Sequence, residues 1–247
     1  MARRHARRRR RGRFSFLYRI FSLLLICALF VAALTLFFKV KGFEISGNTR
    51  YTDEQILSAS GLHTEGNLFL LNKYAAANDI FRKLPYISEV SIRRDLPDTI
   101  CIDVKETVAA AVLYDDMGAL WRISPKGKIL EPVDEKGELA LVSGLTIEAA
   151  QEGEMTTLAN TTKQDALFRL LAALDARAML QETQAIYLED DSYLTMRYQD
   201  RFTVRLLWTA DFDYKMESLC AIVQRLEANE TGLVNMTQDG KVNFIPE

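Results

Sequence analysis

Histidine is almost missing from this chain: His5 and His63 are the two among 247 residues. His5 sits in an arginine-rich head, so any Ser-His-Asp or Cys-His arrangement would have to use His63, just past a glycine that reads as a helix stop. Motifs that announce chemistry are missing as well. There is no S-x-x-K, G-x-S-x-G, H-E-x-x-H or Walker loop, so a transpeptidase, a serine hydrolase, a metalloprotease and a nucleotide hydrolase all lack their minimum parts. Cysteine is scarce too. Cys27, Cys101 and Cys220 form no C-x-x-C pair and none lies near a histidine, which argues against a disulfide framework and a zinc site. Cys27 falls in an apolar run, while Cys101 and Cys220 either fill space as small packing residues or form one long-range pair. No catalytic residue, metal ligand or cofactor is expected, and the chain reads as a non-enzyme.

The first 38 residues lack acid altogether, although they hold nine of the 31 Lys+Arg. Arg7, Arg8, Arg9, Arg10 and Arg11 form the densest part of that head, and Ile20 to Phe38 then carry no charge over 19 residues. At about 1.5 Å per helical residue this run spans roughly 28 Å, close to the ~30 Å hydrocarbon core of a bilayer. Residues 1–19 therefore read as a basic cytoplasmic tail and 20–38 as a single transmembrane helix. Basic residues resist translocation, so the arginine cluster is a topogenic signal that keeps the N-terminus in the cytoplasm and sends the rest outside, a type II arrangement. A cleaved signal peptide is the competing reading, with Val31-Ala32-Ala33 its best cleavage site, but cleavage there would leave an apolar new terminus.

Beyond residue 38 the balance reverses, with 22 Lys+Arg against 33 Asp+Glu and a net charge of −11. Such a surface does not suit nucleic acid. The carboxylates at Asp115-Asp116 and Glu189-Asp190-Asp191 lie between apolar strand runs and read as solvated turn residues rather than cation ligands. Three N-x-[ST] sequons, at Asn160, Asn229 and Asn235, would matter only in a eukaryotic secretory protein. The aromatics Trp121, Tyr187, Tyr193, Tyr198, Phe202 and Trp208 could form a sugar-stacking face, but most fall on strand patterns and read as core or cross-strand residues.

Residues 39–106 spell out one small α+β unit. Val40 to Gly47 is a short strand with Phe43 and Ile45 on one face. Thr52 followed by Gln55 forms a capping box, Tyr51 is placed to staple onto Ile56, and Gly61 ends the helix with Leu62 behind it. A second helix from about Asn72 to Leu84 is expected to bury Tyr74, Ala77, Ile80, Phe81 and Leu84 before Pro85 stops it. Two alternating runs follow, Val90/Ile92 and Ile100/Ile102/Val104, turned by Asp95-Leu96-Pro97-Asp98. The order is β-α-α-β-β. Residues 107–247 read as a β-rich unit with flanking helices: strands at 109–114, 119–123, after 125–129 and 139–145, a helix from about Lys163 to Ala178, three more strands, a helix from about Asp213 burying Met216, Leu219, Val223 and Leu226, and a last strand Val242–Ile245.

That β-α-α-β-β order directly after a membrane span resembles the POTRA module. Phe43-Glu44-Ile45-Ser46-Gly47-Asn48-Thr49-Arg50-Tyr51-Thr52 looks like its opening strand, turn and helix start. Leu84-Pro85-Tyr86-Ile87-Ser88-Glu89-Val90-Ser91-Ile92-Arg93-Arg94, followed by Leu96-Pro97-Asp98-Thr99-Ile100, looks like its closing hairpin. With a basic head and a single span in front, the chain resembles the FtsQ/DivIB family of bacterial cell-division proteins. Leu139-Ala140-Leu141-Val142-Ser143-Gly144-Leu145 resembles that family's strand ending in glycine, with Ala140 where a proline is usual.

The resemblance implies a scaffold at the division septum that binds FtsL and FtsB/DivIC-type membrane proteins and, through them, reaches the septal peptidoglycan synthase. It implies that the C-terminal edge strand, Val242, Asn243, Phe244 and Ile245, takes up a partner segment, with Leu233 to Thr237 as a neighbouring strand. Filling the core is the alternative role for Val242 and Phe244. The POTRA unit could dock other proteins through Glu54, Gln55 and Ser58 of its first helix. A POTRA chaperone or adaptor of polypeptide export is the runner-up, but such repeats normally precede a large membrane barrel, and no strand-rich stretch of that size follows here.

Overall fold

The computed structural model describes residues 12–64, 66–238 and 240–246. The arginine run Arg7–Arg11 lies outside them. The first described element is a 26-residue helix, α1 (Gly12–Phe37), within which Phe16–Ala33 is apolar enough to cross a membrane and is not buried among the described residues. An apolar surface of that length left bare is what a bilayer would cover. The fold class is α+β, with this helix in front of a small β-α-α-β-β unit and a β-rich unit.

The first unit has strand β1 (Gly42–Ser46), helices α2 (Asp53–Ser60) and α3 (Lys73–Lys83), and strands β2 (Ile87–Asp95) and β3 (Thr99–Glu106). Its sheet has the order β1-β3-β2, with β1 parallel and β2 antiparallel to β3. Thr52 caps α2 through the expected box: its side chain accepts from Gln55 N, and Gln55 Oε1 accepts from Thr52 N at 2.9 Å. Gly61 ends the helix at φ +68°, a left-handed conformation that glycine adopts without a Cβ penalty. Ile56, Ile80, Ile87, Ile100 and Ile102 are fully buried together, the helices covering one sheet face and the polar alternates facing outward. Glu106 at the end of β3 ties the β1–α2 turn down by accepting from the backbone N–H groups of Thr49, Arg50 and Tyr51 and from the Thr49 hydroxyl.

Burial on α3 corrects the helical-face expectation. Ala76 and Ile80 point into the core, whereas Tyr74 is 77% exposed. The stripe that docks on the sheet is centred on Ala76 and Ile80, with Ala77 and Leu84 packed at its margin, and the way α3 lies there leaves Tyr74 outside it.

The second unit is one nine-stranded sheet. Its strands are β4 (Ala111–Asp115), β5 (Leu120–Ile123), β6 (Ile129–Val133), β7 (Ala140–Ile147), β8 (Thr183–Tyr187), β9 (Tyr193–Tyr198), β10 (Phe202–Leu207), β11 (Gly232–Asn235) and β12 (Asn243–Pro246). They lie in the order β12-β11-β10-β9-β8-β7-β4-β5-β6. Helix α4 (Thr161–Ala176) connects the parallel neighbours β7 and β8, and α5 (Phe212–Val223) connects the parallel neighbours β10 and β11. A parallel pair needs such a crossover, and here both helices bury their apolar stripes on the sheet. Leu167, Leu170, Leu171 and Leu174 of α4 meet Leu194, Met196, Phe202, Val204 and Leu206 of the strands in one core. Val223 of α5 and Leu226 beyond it are only partly buried, at its margin.

Two sequence expectations change here. Strand β7 does not end at Gly144: it runs on to Ile147 through a bulge, and Gly144 at φ +90° allows close approach to Leu188 and Glu189. Asp115 is not a solvated turn residue. It is 5% exposed and accepts from Met117 N, Ala119 N and Trp121 Nε1, closing the β4–β5 turn from inside. The Trp121 indole and the turn amides hold its carboxyl below the ordinary range. Cys101, in the first sheet, and Cys220, on α5, are both free thiols.

The two units meet through polar anchors. Lys128, 2% exposed, donates from Nζ to the carbonyls of Phe81, Leu84 and Ile87 in the first unit, the last at 2.8 Å. Tyr86 Oη donates to Glu131 at 2.7 Å, Arg122 donates to the same carboxylate at 2.6 Å, and the Arg50 guanidinium stacks 3.7 Å from the Tyr86 ring.

Candidate partner-binding edge

The two ends of the long sheet differ. At one end, β6 is covered: Ile129 N donates to Glu154 O, Gly153 N to Ile129 O, and the first unit adds the Tyr86–Glu131 hydrogen bond. At the other end, β12 pairs with β11 on one side and no described strand lies on its other side. An edge strand carries a row of N–H and C=O groups that another chain's strand can satisfy. Among the described residues, β12 is the uncovered edge of this sheet.

Local chemistry places β12 there. Gly232 opens β11 at φ +151°, and a Cβ on it would stand 2.2 Å from Ile245 O, so only glycine lets the last strand lie this close. Arg201 fixes the approach to β11, its guanidinium donating to Glu227 O and Glu230 O while covering the Phe202 ring at 4.7 Å. Lys215 Nζ donates to Gln238 O at 2.9 Å and so ties the β11–β12 connection to α5. Register then pairs Leu233 with Ile245, Val234 with Phe244 and Asn235 with Asn243.

The four expected site residues separate by face, as period-two alternation requires. Val242 and Phe244 pack against the core, Phe244 edge-on to Phe202 with centroids 6.1 Å apart. Asn243 is exposed and Ile245 is 51% exposed. Strand β12 begins at Asn243, so Val242 precedes it, and Pro246 extends it by one residue opposite Gly232. Sequence reasoning missed Gly232 as the residue that seats the edge. A glycine opening an apolar Leu-Val run is the signal that could have found it.

The second expected surface is less uniform. Glu54 and Ser58 are exposed one turn apart on α2, but the Gln55 side chain is engaged in the helix cap. His63 is exposed in the following loop, its Nδ1 at 3.4 Å from the Gly61 carbonyl. Among the described residues no group of three His, Cys, Asp or Glu could hold a metal ion.

Comparison with known proteins matches residues 38–107 to the FtsQ-type POTRA domain. The chain is 26% identical over 209 residues to the cell division protein DivIB of Clostridium tetani, covering 83% of this chain and 78% of that one. It is 28% identical over 165 residues to the cell division protein FtsQ of Syntrophotalea carbinolica, 65% of this chain and 56% of the relative. Over 106 residues it is 38% identical to DivIB of Clostridium acetobutylicum, 42% of this chain and 41% of that one. A matched FtsQ-type POTRA unit behind an apolar N-terminal helix, relatives of both names, and a β-rich second unit together support an FtsQ/DivIB-type cell-division protein.

Proposed function

We propose that this protein is a non-catalytic scaffold of bacterial cell division, held by one membrane span, that captures FtsL and FtsB/DivIC-type membrane proteins on β12 and so positions septal peptidoglycan synthesis. A role in division follows from the family. The partners, the docking strand, the cytoplasmic placement of the arginine head and the septal location are the proposal.

The observation that carries it is the uncovered β12 edge, with Ile245 half exposed beside a core-anchored Phe244. Backbone pairing supplies affinity without demanding a cavity, and an exposed apolar side chain supplies selectivity. Phe244 anchors the strand while its neighbours stay free to meet a partner. The surface around Glu54 and Ser58 is a secondary docking site in this reading.

The test is calorimetric titration of the full chain in detergent with the outer segments of the FtsL- and FtsB/DivIC-type proteins of the same organism. Ile245→Asp leaves the Phe202–Phe244 contact in place, and it should weaken binding about tenfold or more, as expected for one central apolar interface residue. Full-strength binding by Ile245→Asp, with the fold intact by circular dichroism, would remove β12 as the docking edge.

A further inference from the structure

The uncharged run ends at Phe38, and the folded core starts at the same residue. Phe38 and Val40 both belong to the core of the first unit, Val40 fully buried and Phe38 partly so. Leu68 N donates to Phe38 O at 2.8 Å, Val40 N donates to Gly66 O at 2.9 Å, and Lys39 bridges Asn67. With no linker between the apolar helix and the fold, the turn at 66–70 is held at the level where the helix leaves the bilayer.

That turn is firmly built. Asn67 Oδ1 accepts from Phe69 N and Leu70 N at 2.9 and 3.2 Å. The Arg94 guanidinium reaches over from β2 and donates to Leu68 O and Leu71 O at 2.6 and 2.9 Å. A turn with this many constraints nevertheless presents apolar side chains outward: Leu70 is 80% exposed, Tyr74 77% and Phe69 49%. The Phe69 ring meets Phe38 edge-on at 5.0 Å, which makes the exposed patch continuous with the end of the span.

The charge pattern points the same way. Residues 66–78 contain no acid and one cation, Lys73, in an outer region that is otherwise strongly acidic, and Lys39 lies beside the turn, bridged to Asn67. Lys73 Nζ lies 5.3 Å from the Tyr74 ring. Amphipathic aromatics beside lysines are the residues that settle at the headgroup level of a membrane.

We propose that the 66–74 turn is a second membrane contact, with Phe69, Leu70 and Tyr74 entering the headgroup–acyl boundary of the leaflet that α1 leaves and Lys39 and Lys73 meeting lipid phosphates. Two attachment points in place of one fix the tilt of the first unit against the bilayer. Because Lys128 and Tyr86 lock the second unit onto the first, they also fix the direction in which β12 faces.

The experiment uses the full chain in vesicles of phosphatidylethanolamine and phosphatidylglycerol, with and without bromine on the acyl chains. Leu70→Trp reports on the patch, and Met117→Trp, at an 87% exposed turn of the second sheet, is the reference. The unsubstituted chain, with Trp121 and Trp208, is the blank. Expected is a blue-shifted added emission for Leu70→Trp that loses about half its intensity in brominated vesicles, while Met117→Trp is unaffected, as depth in the interface requires. Leu70→Trp emission at the solvent position, quenched by aqueous iodide as strongly as Met117→Trp, would overturn the proposal and leave the patch to a protein partner. The proposal rests on α1 spanning the membrane, and flotation separates the two failures. A chain that does not float with the vesicles overturns span and contact together; one that floats with an unquenched Leu70→Trp overturns the contact alone.

Discussion

Replacing Lys128 by methionine should loosen the joint between the two units. Its ammonium is buried under the Phe81 ring, 3.6 Å from the centroid, and donates to three carbonyls of the first unit. A hydrogen bond from a charged donor nets about 1.5–3 kcal/mol, and a buried acceptor left unpaired costs about 1–3 kcal/mol. Removing a desolvated charge offsets part of this loss, so Lys128→Met should cost about 2–3 kcal/mol. Lys128→Ala also loses the packing of the stem and should cost about 3–5 kcal/mol. For a chain of this size about 1 kcal/mol moves the melting temperature by roughly 2–4 °C, so the methionine variant should melt roughly 4–12 °C lower. Calorimetry of the full chain in detergent measures the shift. Tryptophan emission, from Trp121 and Trp208, reports the second unit alone, and circular dichroism reports both. The variants should show the two signals separating. The pH dependence adds an independent check. Burial pushes the Lys128 pKa down from 10.5 to about 8, Glu154 opposing. Between those values the unfolded chain holds the proton that the folded one has lost, so stability rises with pH across that window. Lys128→Met should lack that rise. A single unshifted transition in both variants, with the same slope above pH 8, would refute the clamp.

Three further outcomes are expected. Gly232→Ala places a Cβ 2.2 Å from Ile245 O and should displace β12, read as fast amide exchange at Phe244 and lost partner binding while the remainder of the sheet stays protected. Glu106→Gln should flatten the acid limb of the stability curve. Burial pushes the Glu106 carboxyl up, but the hydrogen bonds from Thr49, Arg50 and Tyr51 outweigh it and leave the pKa below its ordinary 4.5, so its stabilisation is full above that value and fades as pH falls through the lowered one. Thr52→Ala should cost about 1 kcal/mol in urea unfolding and Thr52→Ser should restore most of it, because the cap needs only a side-chain oxygen.

Local signals carried a long way. The α2 cap at Thr52 and Gln55, the stop at Gly61 and the alternation of Ile100, Ile102 and Val104 all act within a few residues, and the structure repeats each one. The same holds for the apolar helix, because 19 residues without a charge have few ways to be satisfied in water. Where sequence reading failed, the deciding partner came from elsewhere. Tyr74 fits a helical core stripe in pattern, but its exposure depends on how α3 lies on the sheet. Asp115 has the composition of a surface turn, and the pairing of β4 with β5 brings Trp121 Nε1 and the amides of Met117 and Ala119 onto its carboxylate.

The candidate site divides along the same line. That the last apolar run forms a strand, with Phe244 and Ile245 on opposite faces, was legible from alternation alone. That this strand ends a sheet of nine, with β11 beside it and nothing described beyond, depends on parallel pairing of β10 with β11 across the α5 crossover, which joins residues about thirty positions apart. Propensity and capping are energies of neighbouring residues, so sequence alone determined the elements, the apolar N-terminal helix and the family resemblance. Strand order, the burial of Lys128 beneath another unit's carbonyls and the choice of which edge stays open are energies of residues that meet only after the chain has folded, and the tertiary structure alone decided them.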